Sequence, residues 1–254
     1  MKLENTTVLI SGGSSGLGAA CCLRFASHGA NVVIADLLPP RNELPSEVAS
    51  RVRFVRTDVT QEADVKAAVD TAAAEFGGLS GVIVCAGILH AERVLGREGP
   101  ASLAAFRRVI DVNLVGAYNV VRLAADAIAR QSPVEDGERG VVVMTASVAA
   151  FDGQIGQASY SASKGGIASL TLPLARDLAR HGIRVVSIAP GVFETPMMQV
   201  APDKVRQSLI DQTPFPNRLG NPDEFAATVE HIFENRMLNG CTIRLDGALR
   251  MSAK

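Results

Sequence analysis

Residues 6–18, TTVLISGGSSGLG, decide the fold of this chain. A short run rich in β-branched residues leads into a glycine-rich turn, and an amphipathic segment, residues 17–28, follows and ends before Gly29. This order predicts a strand, a tight turn and a helix. Glycine lets the backbone turn sharply and approach a pyrophosphate closely, while the helix N-terminus offers free N–H groups. The stretch therefore predicts a pyrophosphate-binding turn, although glycine-rich turns also occur for structural reasons alone.

The next predicted strand ends in an acidic residue. NVVIAD, residues 31–36, has the continuous apolar pattern of a buried parallel strand, and Asp36 lies 20 residues beyond Gly16. A carboxylate at this strand end accepts hydrogen bonds from both adenosine ribose hydroxyls and repels a 2′-phosphate. No arginine follows Asp36 until Arg41. The pattern favours NAD over NADP, and the alternative is an aspartate that merely ends a strand in a turn.

The alternation of apolar strands and helix-length segments continues along the chain. Further strands are predicted at residues 51–59, 79–87, 141–147, 183–191 and 239–247, and helices at 60–77, 102–111, 113–131, 158–180, 202–212 and 222–234. This order predicts an α/β protein, a single-domain Rossmann fold over residues 1–254 whose doubly wound seven-stranded parallel sheet has helices on both faces. Ligands bind at the carboxyl ends of such strands. The residues predicted at that edge are Gly12, Asp36, Asp58, Gly87, Ser147 and Gly191.

A tyrosine and a lysine stand four residues apart in SYSASK, residues 159–164. On the helix predicted there, Tyr160 and Lys164 lie on one face about one turn apart. A phenol has an unperturbed pKa of about 10, and a fixed ammonium beside it favours the phenolate. The pair is therefore suited to moving a proton to or from an alcohol oxygen. For the spacing alone, a buried aromatic residue beside a solvated lysine is the simpler interpretation.

The composition argues against several classes of protein. Of the 254 residues, 25 are Lys or Arg and 26 are Asp or Glu, so the net charge of −1 predicts no binding of nucleic acid or anionic membrane. No apolar run approaches the roughly 18 residues of a membrane span. The cysteines, Cys21, Cys22, Cys85 and Cys241, form no CxxC pair, which favours a reduced compartment and no metal site. The first strand leaves no room for a leader peptide, so we expect a cytoplasmic protein.

Over nearly its whole length the chain resembles the short-chain dehydrogenase/reductase family. The family's TGxxxGxG motif corresponds to Ser11 through Gly18, with serine in place of threonine. Its NAG turn corresponds to Cys85-Ala86-Gly87, where the cysteine is a departure that bears on local packing rather than chemistry. The family's catalytic Asn, Ser, Tyr and Lys match Asn113, Ser147, Tyr160 and Lys164, and its PG followed by Thr matches Pro190, Gly191 and Thr195.

The resemblance implies a role for each of these residues. Lys164 would bind the nicotinamide ribose and lower the pKa of Tyr160, which would take the hydroxyl proton, while Ser147 would hold the substrate oxygen. Asn113 would hold a water in a proton relay, and its alternative role is a cap between two helices. The cofactor-binding residues implied in this way are Gly12, Ser15, Gly16, Leu17, Gly18, Asp36, Asp58, Val59, Cys85, Ala86, Gly87, Tyr160, Lys164, Pro190, Gly191, Val192 and Thr195.

Three longer segments, residues 147–167, 214–226 and 239–251, resemble one subfamily, the type 2 3-hydroxyacyl-CoA dehydrogenases. That resemblance implies an NAD-dependent enzyme that oxidises 3-hydroxyacyl-CoA and, more loosely, hydroxysteroids and other secondary alcohols. The expected substrate contacts are Ser147, Gln154, Gln157 and Tyr160, although both glutamines also suit a solvated loop. Within a substrate loop at about residues 191–220, the residues expected to form an apolar lid, or simply to pack the region, are Phe193, Met197, Met198 and Phe215.

Two rival functions remain open at this point. A 3-oxoacyl carrier-protein reductase shares the fold and the catalytic residues but usually prefers NADPH, and Asp36 argues against it. A non-catalytic dinucleotide-binding scaffold would not need an intact set of catalytic residues. In the family, the long alanine-rich segments at 102–131 and 158–180 pair between subunits, which implies a homotetramer with the C-terminal tail at another interface.

Overall fold

One seven-stranded parallel sheet runs through the centre of the protein. The computed structural model describes residues 1–199 and 201–253. Its sheet strands are β1 (Thr7–Ser11), β2 (Asn31–Asp36), β3 (Val52–Arg56), β4 (Gly81–Val84), β5 (Gly140–Thr145), β6 (Ile183–Pro190) and β7 (Thr242–Leu245). In space they follow the order β3-β2-β1-β4-β5-β6-β7, so the order reverses between β1 and β4. The predicted fold class is confirmed.

Helices connect the strands and cover both faces of the sheet. Their bounds are α1 (Gly16–Ser27), α2 (Ser46–Ala49), α3 (Glu62–Phe76), α4 (Leu103–Ile110), α5 (Ala117–Ala129), α6 (Ala158–Ala179), α7 (Pro196–Gln199), α8 (Asp203–Asp211) and α9 (Pro222–Glu234). A short antiparallel hairpin, Leu95–Gly96 with Gly99–Pro100, projects between β4 and α4. In the described parts of the chain, no helix has the length and apolar character needed to cross a membrane.

The core consists of two apolar layers, one on each face of the sheet. Alternate residues of each strand enter opposite layers, as Leu9 and Ile10 do in β1. One layer packs the sheet against α3, α5 and α6, and the other packs it against α1 and α9. In the second layer Phe25 and Phe233 meet edge to face, with ring centroids 5.0 Å apart. Because both faces are covered, the open surface for a ligand is the edge at the carboxyl ends of the strands.

Two glycines of the first turn are required by close backbone contacts. Gly12 has a φ of +69°, and a Cβ added there would lie 2.6 Å from the backbone nitrogen of Ala86. A Cβ added to Gly18 would overlap the carbonyl oxygen of Gly12. The first glycine thus allows the turn to pass the end of β4, and the second allows α1 to pack directly onto that turn.

Two differences from the predicted elements concern the junction of two helices and the end of one strand. The two helices expected at 102–111 and 113–131 are joined without interruption, because residues Asp111–Gly116 form a π-helical turn between α4 and α5. Asn113 therefore lies inside a continuous helix, and its alternative role as a cap between two helices is wrong. The third strand ends at Arg56 rather than at residue 59, since the next residues turn toward α3.

A Gly18→Ala substitution should destabilise the protein far more than a Gly77→Ala substitution. Gly77 ends α3 with a φ of +80° and has nothing within 4 Å of an added Cβ, so alanine there adds only backbone strain, about 1 kcal/mol. At Gly18 the new methyl group meets fixed backbone, and we expect a loss of about 3 kcal/mol or more. Urea unfolding of both variants measures the two losses, and equal losses would contradict the packing argument.

Candidate active site

A large cavity lies at the carboxyl edge of the sheet. Its volume is about 1330 Å³, and its wall includes the residues that follow β1, β2, β3, β4, β5 and β6. Pockets for one drug-sized ligand usually measure about 300–1,000 Å³. This cavity therefore has room for a dinucleotide together with a second small molecule. Every residue predicted to bind the cofactor or the substrate is part of its wall.

The glycine-rich turn forms one part of the cavity wall. Ser15 caps α1 in an extended conformation and makes no side-chain cap hydrogen bond, so its hydroxyl is not used to satisfy the helix. Gly16 follows with a φ of +54°, and an added Cβ would approach the side chain of Thr195 to 3.4 Å. The narrow gap between the turn and Thr195, together with the free N–H groups of the first helical turn, suits a pyrophosphate.

Asp36 stands at the end of β2 with its carboxylate held by the backbone. One carboxylate oxygen accepts a hydrogen bond from the N–H of Ser14 at 3.1 Å, and the other accepts one from the N–H of Leu38 at 3.3 Å. Among the described residues, Asp36 forms no ion pair. Its negative charge therefore faces the cavity without a cation of the protein to neutralise it. This environment suits hydroxyl donors and disfavours a phosphate.

Asp58 and Val59 follow β3 on the same wall, and both also have structural contacts. The carboxylate of Asp58 accepts hydrogen bonds from the backbone N–H of Thr60 at 2.9 Å and from its hydroxyl at 2.7 Å. The carbonyl of Val59 accepts a hydrogen bond from the side chain of Asn119 at 2.9 Å. These contacts fix the turn that leads into α3. They leave the backbone of residues 58–59 along the cavity.

The predicted catalytic serine, tyrosine and lysine converge from β5 and α6. Ser147 comes two residues after the end of β5, while Tyr160 and Lys164 occupy the first two turns of α6. Lys164 is 5% exposed, and its ammonium donates a hydrogen bond to the carbonyl of Thr145 at 2.7 Å. The same Nζ atom lies 5.9 Å from the centre of the Tyr160 ring. The predicted one-turn spacing therefore places both side chains on the cavity.

The side chain of Asn113 is held by Ile88, which follows the turn of residues 85–87, and by Ser163 of α6. Its side-chain oxygen accepts a hydrogen bond from the N–H of Ile88 at 2.7 Å, and its amide nitrogen donates to the carbonyl of Ile88 at 2.9 Å. The same nitrogen lies 3.1 Å from the hydroxyl oxygen of Ser163. The π-helical turn brings Asn113 to this position, where it links the residue after Gly87 to α6. Asn113 itself is fully buried and does not border the cavity directly.

Burial dominates the titration of the tyrosine and the lysine. Burial raises the pKa of Tyr160, and the Ser147 hydroxyl acts in the opposite direction on that pKa. Burial lowers the pKa of Lys164 to about 8, with a smaller opposing effect from Cys85. In the protein alone the pKa of Tyr160 therefore lies above its ordinary value, with burial as the largest cause. The lowering of this pKa by Lys164 stays a prediction.

The turn Cys85-Ala86-Gly87 closes the cavity between the glycine-rich turn and the lysine. The N–H of Cys85 donates to the carbonyl of Ser11 at 2.9 Å, which continues the pairing of β4 with β1. A Cβ added to Gly87 would lie 3.2 Å from the Asn113 side-chain oxygen and 3.6 Å from the Lys164 Nζ atom. The departure at Cys85 is accommodated because the Thr145 hydroxyl donates to its sulfur at 3.4 Å.

The two predicted substrate-binding glutamines, Gln154 and Gln157, form a hydrogen-bonded pair in the cavity wall. The side-chain nitrogen of Gln157 donates to the side-chain oxygen of Gln154 at 3.3 Å, and both residues line the cavity. Gln154 also donates to the carbonyl of Ser252 at 3.1 Å, so the C-terminal tail is attached to this rim. The tail places Met251 in the cavity wall. The glutamines are therefore positioned side chains rather than part of a solvated loop.

The four residues proposed for an apolar lid occupy different environments. Met197 and Met198 line the cavity on the short helix α7. Phe193 also borders the cavity, but it is buried and packs edge to face against Phe225 with a centroid distance of 6.4 Å. Phe215 is 83% exposed and lies away from the cavity. Phe215 is therefore not part of the cavity wall and Phe193 is part of the core, while position 200 in this loop lies outside the described residues.

Several residues of the cavity wall were not predicted from the sequence. They include Ile88, Leu103, Arg107, Val205 and Met251. Leu103 and Arg107 lie one turn apart on α4, and the amphipathic pattern of that helix was a usable signal. Ile88 lines the cavity just beyond the turn of residues 85–87, and Met251 lines it because the C-terminal tail is attached to Gln154. Neither feature has a local sequence pattern.

The chain belongs to the short-chain dehydrogenase family. The sequence profile of that family, described as short chain dehydrogenase, matches residues 6–206. Members of this family use a nicotinamide dinucleotide as cofactor and act on small molecules, and the turn, the uncompensated Asp36 carboxylate and the cavity volume fit such a cofactor.

Full-length relatives agree with this assignment. The chain is 50% identical over 252 residues to a 3-hydroxyacyl-CoA dehydrogenase type-2 of Drosophila melanogaster, covering 98% of this chain and 99% of that protein. It is 49% identical over 253 residues to the Bos taurus protein of the same name, covering 98% and 97%. The crystal structure of 3-hydroxyacyl-CoA dehydrogenase type-2 from Mycobacterium avium is 43% identical and superposes over 100% of both chains with a TM-score of 0.93.

The buried lysine should make stability depend on pH. The folded pKa of Lys164 is about 8, below the value of about 10.4 expected in the unfolded chain. Between these values the unfolded state binds more protons, so the free energy of unfolding rises with pH. The increase in the free energy of unfolding approaches about 3 kcal/mol above the unfolded pKa. It is absent below the folded pKa. A Lys164→Met variant should lack this rise.

Urea unfolding at about pH 7 and about pH 9.5 measures the effect as the difference between the native chain and the variant. Lys66→Met is the matched control, because Lys66 is 64% exposed and pairs with Asp70 on the surface of α3. A native chain whose stability gains nothing over the Lys164→Met variant between the two pH values would show that the lysine is not buried in its charged form.

Proposed function

We propose that this oxidoreductase is an NAD-dependent dehydrogenase of secondary alcohols whose main substrates are 3-hydroxyacyl-CoA thioesters. The observation that carries the proposal is the convergence of Ser147, Tyr160 and Lys164 on one cavity that also contains the uncompensated Asp36 carboxylate. The first three groups suit proton transfer to and from an alcohol oxygen. The fourth suits an adenosine ribose with free hydroxyls.

The proposed cofactor site runs along the strand ends. The turn from Gly12 to Gly18 would hold the pyrophosphate, and Asp36 would accept hydrogen bonds from the adenosine ribose, since both line the cavity. Asp58 and Val59 border the adenine. The remaining proposed contacts are Cys85, Ala86, Gly87, Pro190, Gly191, Val192 and Thr195, which line the same cavity. When bound, the oxidised dinucleotide supplies a hydride acceptor and a positive charge near the phenol.

Each proposed catalytic residue has a separate role in proton transfer at the substrate oxygen. The Ser147 oxygen accepts a hydrogen bond from the N–H of Ala149 at 3.1 Å, and its hydroxyl is oriented to Tyr160, so in this proposal the hydroxyl donates to the substrate oxygen that lies beside the phenol. Tyr160 takes the hydroxyl proton during oxidation and returns it during reduction. Lys164 keeps its ammonium beside Tyr160 through the Thr145 carbonyl and is available to the nicotinamide ribose. Asn113 fixes the carbonyl of Ile88, where a water of the proton relay would bind.

The substrate side of the cavity supports a bulky thioester. The Gln154 and Gln157 amides provide donors and acceptors at the rim, and Met197, Met198 and Met251 provide a flexible apolar wall. We assign residues 191–220 as the substrate loop, because residues of α7 and α8 line the same cavity as Tyr160 and Lys164. The relatives named 3-hydroxyacyl-CoA dehydrogenase type-2 favour this substrate class over a hydroxysteroid.

We also infer that the protein is a homotetramer. Apolar side chains outside the cavity remain exposed on α4, α5 and α6, namely Phe106, Tyr118 and Leu172. Packing against the same helices of a second copy would remove this apolar surface from water. The solution mass of the native protein measures the number of chains.

The coenzyme and substrate class can be tested together. We expect rapid oxidation of NADH with acetoacetyl-CoA, and a kcat/KM for NADH at least about 100-fold above that for NADPH, because Asp36 repels the 2′-phosphate. Asp36→Asn should reduce this preference at least about tenfold. Asp70→Asn, which changes an exposed carboxylate of α3, is the control and should leave the preference unchanged.

The rival functions give different results in the same assay. Preference for NADPH, or turnover only with a carrier-protein-linked substrate, would favour a 3-oxoacyl carrier-protein reductase and overturn the proposal. Binding of NADH without turnover of any alcohol or ketone would favour a non-catalytic scaffold. Turnover of a hydroxysteroid but of no acyl-CoA would support the proposed dehydrogenase activity and contradict the proposed thioester substrate.

Replacing the tyrosine should separate catalysis from binding. Tyr160→Phe removes only the proton-transferring oxygen, so kcat should fall at least about 1,000-fold, while the Kd for NADH should change less than about threefold. The chain contains two tyrosines, and the other, Tyr118, is 46% exposed on α5 away from the cavity. Tyr118→Phe is therefore the matched control. Near-normal turnover by Tyr160→Phe would remove Tyr160 from the mechanism.

A further inference from the structure

Residues 249–253, which we call the strap, connect two parts of the cavity wall. The carbonyl of Ser252 accepts a hydrogen bond from the side chain of Gln154 at 3.1 Å, while the N–H of Ser252 donates to the side-chain oxygen of Gln212 at 2.9 Å. Gln154 lies just before α6, and Gln212 directly follows α8. The strap therefore joins the segment that leads to Tyr160 with the assigned substrate loop.

The strap is attached at both of its ends. At the start, Leu249 is fully buried, and its carbonyl accepts a hydrogen bond from Arg244 of β7 at 3.0 Å. Arg244 also forms an ion pair with Asp152 at 2.6 Å. Farther along the strap, the carbonyl of Ala253 accepts a hydrogen bond from the N–H of Ile155 at 3.0 Å. Because both ends are attached, the residues between them are held against the cavity wall.

Met251 lies between these attachments and lines the cavity. Adjacent Cα atoms are about 3.8 Å apart, so Met251 lies close to both of the contacts that Ser252 makes. On the side of the substrate loop, the cavity wall includes Val205 and Leu209 of α8, and Leu209 lies about one turn before Gln212. The side chain of Met251 therefore adds a flexible thioether to an apolar part of the wall.

We propose that Met251 is a specificity-determining residue that limits the length of the acyl chain, and that the strap holds it in this position. The inference rests on the proposed acyl-CoA substrate. The coenzyme A part of that substrate carries phosphates and has to lead out to water, whereas the strap closes the wall beside Met251. The acyl end is apolar and suits the surface that Met251 forms with Val205 and Leu209. A short acyl chain ends before this surface, and a longer chain meets the thioether.

The test compares a long and a short acyl chain in the native protein and in Met251→Ala. The ratio of kcat/KM for 3-oxodecanoyl-CoA to kcat/KM for acetoacetyl-CoA should rise at least about tenfold in the variant, because one methylene in a hydrophobic pocket can change kcat/KM by that factor. The kcat for acetoacetyl-CoA and the Kd for NADH should each change less than about threefold, since neither ligand depends on the removed side chain. Met251→Phe, with a bulkier side chain, should lower the same ratio.

Met237→Ala is the matched control, because Met237 is 90% exposed and lies away from the cavity wall. It should leave the ratio of the two kcat/KM values unchanged. An unchanged ratio in Met251→Ala, or an equal loss of kcat/KM with both substrates, would overturn this inference and leave the proposed dehydrogenase function intact. Absence of turnover with any acyl-CoA in the native protein would instead overturn the proposed substrate class, and this inference with it.

Substitutions at Gln212 test the strap itself. Gln212→Ala removes the acceptor of the Ser252 N–H, so it should raise the same ratio, but less than Met251→Ala does. Gln212→Glu keeps an acceptor oxygen and should keep the native ratio. Gln207→Ala is the control, because it removes an exposed amide that donates to Asp211 on the same helix. A ratio for Gln212→Ala equal to that for Gln207→Ala would show that the strap does not position Met251.

Discussion

The close contact of three backbone segments at the end of β1 is the constraint on which the rest of the site depends. Gly12 passes the Ala86 nitrogen with no space for a side chain, and Gly18 packs α1 against the Gly12 carbonyl in the same way. These contacts place the start of α1 over the point where the strand order reverses between β1 and β4. A helix N-terminus, two strand ends and the turn after β4 therefore share one crevice, and that crevice accounts for the position of the cavity.

Thr145 connects this crevice to the proposed chemistry. Its carbonyl holds the Lys164 ammonium and its hydroxyl holds the Cys85 sulfur, so one residue at the end of β5 links α6 to the turn after β4. Asn113 makes a second connection, since it bonds both backbone groups of Ile88 and approaches Ser163 on α6. These two links fix the lysine in a buried position. The fixed position accounts for its lowered pKa, because the ammonium cannot move out to water to relieve its desolvation.

The sequence predicted the features that depend on local residue patterns. It did not predict the features that depend on tertiary packing. Apolar periodicity and glycine spacing located the seven strands and the cavity edge, because a parallel sheet brings all its carboxyl ends together. No periodicity distinguishes a π-helical turn from a break between helices, so the environment of Asn113 was missed. Phe193 and Phe215 both lie in the proline-containing segment after β6, yet one is buried against Phe225 and the other is exposed.

The proposed preference for NAD depends on a carboxylate that the fold has already oriented. Each oxygen of Asp36 accepts one backbone hydrogen bond, from Ser14 or Leu38, and retains acceptor capacity for a ribose hydroxyl. A hydrogen bond to a charged group contributes about 1.5–3 kcal/mol. Like charges 4 Å apart repel by about 1 kcal/mol in water and about 4 kcal/mol at an effective dielectric constant of 20. The hydrogen bond to a ribose hydroxyl and the repulsion of a phosphate are thus of similar size. A 2′-phosphate would remove the hydrogen-bonding hydroxyl and would also be repelled by the carboxylate. Discrimination therefore requires only that Asp36 remain charged and without a cation.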